Sequence, residues 1–207
     1  EHASNALPAR FGDLGIDRTV QDSHAAHDVG GAGLARAVAD GLDAPLVRGG
    51  VSRLVYDCNR PPEAPDAMPA RSEVFEIPGN RDLSEEARRA RVEAVFAPFE
   101  RRLSAVLAAR PGAPLVTVHT FTPVYRGERR DLALGVLHDS DGRLADALLD
   151  LSQDFLDWPA VRNAPYGPAD GVTTTLRRHA LPEGRLNAMI EVRNDLVARP
   201  ADQARVG

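Results

Sequence analysis

The 207-residue chain contains no lysine; all 25 of its basic side chains are arginine. A Schiff-base lysine, a phosphate-loop lysine and a kinase-type lysine are therefore excluded. Its single cysteine, Cys58, rules out an internal disulfide and suits a reducing, cytoplasmic setting. Aromatic residues are only 5% of the chain, so the core must be built mainly from Ala, Val and Leu. No apolar run approaches the ~20 residues of a membrane span, which argues against a membrane partner. A formal net charge of −5 speaks against nucleic acid, whose phosphates call for a basic face. The remaining composition, 43% apolar and 27% charged, is ordinary for a folded protein. A chain of this length can bury a sizeable core within one domain, 1–207.

The chain opens at Glu1-His2-Ala3-Ser4-Asn5 without Met, which reads as the exit of a first strand lying upstream. A leader removed in processing is compatible with that start. Asp22 to Leu42 has a helical composition, capped by Asp22 or Ser23 and closed near Gly41, although Gly30, Gly31 and Gly33 weaken its first half. Ala44–Val47 and Val51–Cys58 read as strands separated by Gly49-Gly50, with Arg53, Val55 and Asp57 on one face of the second. A Pro-rich loop follows from Asn59 to Leu83, and loops of that length are often functional. Ser84 caps a long helix with Glu85 and Glu86 at its positive end, and Pro98 predicts a kink within it. Leu115–His119 and Leu132–His138 read as strands. Leu144, Leu148, Leu151 and Phe155 mark a helix from about Asp141 to Asp157. A second irregular stretch runs from Trp158 to Gly171, Leu186–Arg193 is the last strand, and Pro200 opens a terminal helix. This alternation predicts a three-layer α/β domain.

In open α/β sheets, ligands gather beyond the carboxyl ends of the strands. His2, His119, the trio Asp57, Asn59 and Arg60, and the pair Glu191 and Arg193 all fall at such ends. Each has a plainer reading. A lone strand-end His is usually a hydrogen-bonded surface residue. Arg53 and Asp57 could form a simple salt bridge, and Glu191 and Arg193 a buried ion pair. His24, His27 and Asp28 share a predicted helix, where a solvated face is commoner than a metal site. Taken together the set is more specific, because zinc hydrolases need His and carboxylate ligands plus a separate Glu base. No short zinc signature such as His-Glu-x-x-His occurs, so spacing alone supports metal only weakly.

The stretches Glu-His-Ala-Ser-Asn-Ala-Leu-Pro at 1–8, Asp-Val-Gly-Gly-Ala at 28–32 and Ser-Arg-Leu-Val-Tyr-Asp-Cys-Asn-Arg-Pro-Pro at 52–62 resemble the N-formylglutamate amidohydrolase family. So do Val-His-Thr-Phe-Thr-Pro at 118–123, Pro-Tyr-Gly-Pro-Ala-Asp-Gly at 165–171, Arg178-His179 and Ile-Glu-Val-Arg-Asn-Asp-Leu at 190–196. The resemblance implies a zinc-exopeptidase-like α/β fold with a mixed, mostly parallel central sheet flanked by helices. It implies Zn²⁺ or another divalent ion on His2, Asp28 and His119, with His24 in reserve, and Glu191 as the catalytic carboxylate. Arg53, Asn59, Arg60, His179 and Arg193 match positions implied for substrate binding. The chain departs from the family at His27, where a large aromatic is common, and at Val51, where Tyr usually precedes Ser-Arg. Both changes bear on the pocket and so on the substrate. The implied activity is hydrolysis of an N-formyl or N-acyl amino acid, N-formyl-L-glutamate above others. The rivals are an amidase for another N-acyl amino acid or a cell-wall peptide, and a non-catalytic small-anion-binding domain of the same fold.

Overall fold

Two stretches rich in apolar residues become the longest strands, β1 (Leu115–Phe121) and β4 (Asn187–Arg193). In the computed structural model, which describes residues 1–155 and 158–207, these pair in parallel, with His119 opposite Glu191. β4 also pairs antiparallel with β2 (Leu134–Leu137), and β2 pairs parallel with β3 (Ala160–Arg162). The sheet order is β1-β4-β2-β3, so the sheet is mixed and mostly parallel, as expected.

Helices cover both faces. On one side, Val118 and Val192 meet Leu34 of α1 (Gly31–Gly41) and Val206 of the last helix (Pro200–Val206). On the same side, Val136 and Ala188 meet Ala145 and Leu148 of the helix Arg143–Phe155. On the other side, Leu115, Leu137 and Met189 pack against Leu103 and Leu107 of the long helix 85–108 and Leu176 of the helix Thr174–His179. Layering of this kind lets each amphipathic face bury its apolar stripe. The far end of the helix expected to reach Asp157 lies outside the described residues, as does the side chain of Phe155.

The long helix starts as its sequence predicts, with the Ser84 side chain accepting from Ala87 N. Pro98 distorts it. The turn Val92–Phe96 is π-helical, with Ala97 N–H reaching back to Val92 O, after which Ala97–Ala108 continues as α-helix. Proline lacks an N–H, and its ring crowds the carbonyl four residues earlier, here that of Ala94. That carbonyl accepts from Arg10 instead.

Three expectations are corrected. The helix expected from Asp22 begins only at Gly31, because Gly30 adopts φ +79° and turns the chain immediately after Asp28. Asp22 and Ser23 therefore cap nothing there, and Ser23 Oγ donates to Val20 O. Neither Ala44–Val47 nor Val51–Cys58 is a strand. Leu54, Val55 and Tyr56 are all buried, so the segment has no solvent face to alternate with. Its main chain is satisfied without a ladder: Arg53 N–H donates to Ala26 O, Asn80 donates to Leu54 O, and Arg91 to Val55 O. The stretch Trp158 to Gly171, read as irregular, contains β3.

Gly135 lies opposite Glu191 in β2, and a Cβ there would run into the carbonyl oxygen of Ala164. Gly135→Ala should therefore lower stability by about 1–3 kcal/mol, because backbone rather than a flexible side chain must yield. Chemical denaturation of both proteins checks this.

Candidate active site

The site forms where β1 and β4 end, next to the turn that launches α1. Asp28 is tied to the chain start by its N–H, which donates to His2 O (2.9 Å). Thr120 in β1 donates its hydroxyl to Val29 O (2.9 Å), which places that turn against the strand end. Gly31 leaves room for the Asp28 side chain, since a Cβ at Gly31 would stand 2.9 Å from Asp28 Cβ.

His2, Asp28 and His119 are buried and bring one donor atom each to within 4.8 Å of one another. They are the one group among the described residues that could hold a metal ion in this way. Asp28 Oδ2 lies 2.7 Å from His119 Nδ1 and 3.6 Å from His2 Nδ1. The other ring nitrogens face two further carboxylates. His2 Nε2–H donates to Asp57 Oδ1 (2.6 Å). His119 Nε2 lies 2.6 Å from Glu1 Oε2, at an angle too poor for a hydrogen bond, so the contact is close without satisfying the nitrogen. Paired carboxylates of this kind set the tautomer and orientation of metal-binding histidines.

The charges suit a cation. Burial pushes His2 down to about 3, with Arg53 acting the same way and Asp57 opposing, so its ring is neutral at physiological pH, the form that ligates. Burial works against ionisation of Asp57, but His2, Arg53 and Arg60 outweigh it and hold its carboxyl below the usual carboxylate range. Arg53 donates to Asp28 Oδ1 in a very short contact. It does not make the simple salt bridge with Asp57 left open by the sequence, although Asp57 and Glu191 both act on it electrostatically.

Glu191 is buried opposite His119, and its Oε2 has no hydrogen-bond partner. Burial raises its pKa, against the pull of His119, Arg53 and Arg130. The alternative ion pair with Arg193 does not form, because Arg193 turns to Asp195 (2.8 Å) and to the carbonyls of Arg130, Asp131 and Leu132. Four buried polar atoms here lack a hydrogen bond: Glu1 Oε1, His119 Nε2, Arg53 Nε and Glu191 Oε2. Buried polar atoms are rarely left so. Their concentration beside a His-Asp-His donor set is what a bound cation and a polar ligand would satisfy, so the residues present fit a metal.

The other expected site residues are engaged elsewhere. Asn59 donates to Val172 O (2.5 Å) and accepts from Thr175, pinning one loop to another. Arg60 binds Asp66 and the carbonyl of Gly171. His179 pairs with Glu100 (2.7 Å), and the reserve ligand His24 pairs with Glu73 (2.5 Å) outside the metal-compatible group. Three residues that sequence reasoning did not single out bear on the site: Glu1 beside His119, Tyr166, which acts on Arg53, and Arg130, which acts on Glu191. The adjacency Glu1-His2 was a usable signal, whereas nothing distinguishes Arg130 within Arg-Gly-Glu-Arg-Arg.

A family model described as N-formylglutamate amidohydrolase matches residues 1–198. The chain is also similar to a gene product from Agrobacterium tumefaciens of known crystal structure, at 50% sequence identity and a TM-score of 0.96. That alignment covers 100% of this chain and 83% of the other. No curated protein matches the chain.

The raised pKa of Glu191 has a consequence for stability. A carboxyl with a higher pKa folded than unfolded favours the fold below the ordinary carboxylate range and loses that advantage as pH rises through its folded pKa. In metal-free protein, Glu191→Gln should therefore melt higher than the parent at neutral pH, and the gain should shrink toward about pH 4. Thermal melts across that range test it, and a difference independent of pH would show that Glu191 is not held with a raised pKa.

Proposed function

The chain belongs to the N-formylglutamate amidohydrolase family and is a hydrolase of linear amide C–N bonds; we propose that it is metal-dependent and cleaves N-formyl-L-glutamate to formate and glutamate. The observation that carries the metal is the approach of two histidine Nδ1 atoms to one Asp28 oxygen, with each Nε2 set 2.6 Å from a second carboxylate. Nitrogen and oxygen donors in this number suit Zn²⁺ with a position left for water. A divalent ion held by His2, Asp28 and His119 supplies a Lewis acid that polarises the acyl oxygen and makes water acidic near neutral pH.

The chain's own residues do the rest. Asp57 fixes the His2 ring through Nε2–H, and Glu1 stands ready to do the same for His119. Arg53 holds Asp28 and keeps its charge close to Glu191, where it favours the negative oxygen that develops on the acyl group. Glu191 is the general base. Buried, and with an unpartnered oxygen, it takes a proton from the attacking water and delivers it to the departing amine nitrogen as the C–N bond breaks. A carboxyl raised by burial is suited to both halves of that transfer.

Purified protein should hold about one divalent ion per chain, and chelation should abolish hydrolysis of N-formyl-glutamate until zinc is restored. His119→Ala should lose the ion; full retention would remove His119 from the ligand set. Glu191→Gln should keep the ion while turnover falls at least about a hundredfold. Metal analysis with a formate-release assay decides both, and near-parental turnover by Glu191→Gln would exclude it as the base.

A further inference from the structure

We propose that Arg130 grips a carboxylate of the leaving amino acid, and so sets the preference for acidic substrates. The inference rests on the amidohydrolase reading above and adds to it the residue that recognises the product half.

Arginines are the natural receptors for carboxylates in this lysine-free chain, but most of those near the site are occupied. Arg53 is drawn to Asp28, Arg60 to Asp66 and the 170–171 carbonyls, and Arg193 to Asp195 and the 130–132 carbonyls. Arg130 differs. Its guanidinium carbon stands 4.4 Å from the centre of the Tyr125 ring, 4.9 Å from Tyr166 and 5.9 Å from Phe121. Its guanidinium donates to the Tyr166 hydroxyl (2.9 Å). No ion pair of Arg130 occurs among the described residues. Aromatic rings support the guanidinium without consuming its in-plane donors, which leaves a fork for two carboxylate oxygens.

Its place is right for the leaving group. Phe121 follows His119 by two residues and so shares its face of β1. Phe121 lies one two-residue step, roughly 7 Å, beyond the histidine where the parallel strands end, and Arg130 packs on its ring there. Arg130 is near enough to act on the Glu191 carboxyl and on Tyr166. A substrate whose acyl group lies between His119 and Glu191 would point its amino-acid half toward Arg130.

The test uses the metal-loaded full chain, with N-formyl-glutamate compared against its neutral diamide. Arg130→Ala should lower kcat/KM for N-formyl-glutamate roughly ten- to hundredfold more than for the diamide, the excess falling mainly on KM, while any change common to both substrates reports its effect on Glu191. Arg130→Lys should recover part of the loss, since it restores charge without the fork. Calorimetry should show glutamate binding weakened by a similar factor in Arg130→Ala, at unchanged metal content. Equal losses for the charged and neutral substrates, or no loss for either, would overturn the assignment while leaving the amidohydrolase reading intact. A parent protein that neither hydrolyses N-formyl-glutamate nor binds glutamate would overturn both.

Discussion

Much of the arrangement depends on one buried carboxylate. Asp28 is almost fully enclosed, yet it contacts Arg53 through one oxygen and His119 through the other, with His2 close by. These partners come from the chain start, the loop 51–58 and the strand β1, so a single charge draws three distant segments to one point. A buried carboxylate is tolerable only when it is paired and hydrogen-bonded, and removing one partner typically costs about 3–5 kcal/mol. The same constraint prepares the chemistry. The charge that needs Arg53 for balance is also the charge that would hold a cation, and the short reach from Asp28 to both rings keeps the two histidines facing each other, 5.0 Å apart.

The first eighty residues show how a loop-rich region can still be rigid. Their core contains Leu54, Val55, Tyr56, Met68 and Ile77 against Val95 and Phe96 of the long helix, with Tyr56 and Phe96 rings 5.2 Å apart. Few of their peptide groups belong to a helix or ladder, so side chains take over. Asn80 bridges two carbonyls, Arg91 reaches Val55 and Gly79, and Ser52 reaches Ala26. Any buried peptide left unpaired would cost free energy. The loops thus carry Asp57 and Arg53 to the site with the precision usually expected of strands.

Arginine serves two purposes in this protein. Arg185 gathers the carbonyls of Leu107, Arg110 and Ala113 at the end of a helix, and Arg60 and Arg193 bind loop carbonyls in the same way. A planar fork with five donors is suited to that work, whereas an ammonium would satisfy fewer oxygens in fixed directions. Arg53 and Arg130 use the same group differently, one beside the carboxylates of the reacting centre and the other on a bed of aromatic rings.

Sequence alone determined the two strands that carry the candidate site and the long capped helix, and it placed His119 and Glu191 at strand ends. These signals are local. Apolar runs within 115–121 and 187–193 report strands covered on both sheet faces, and Ser84 with two glutamates reports a helix start. Only tertiary structure decided the role of 51–58, because apolar alternation there is mimicked by a loop whose hydrogen-bond partners come from residues 26, 67, 80 and 91. It likewise decided which arginines are available. Arg53, Arg60, Arg130 and Arg193 are chemically identical in sequence, and what separates them is whether a carboxylate, a carbonyl or an aromatic face happens to stand within reach. Hydrogen bonds act over about 3 Å, so that distinction is made by distances between residues far apart in the chain, which no local pattern encodes.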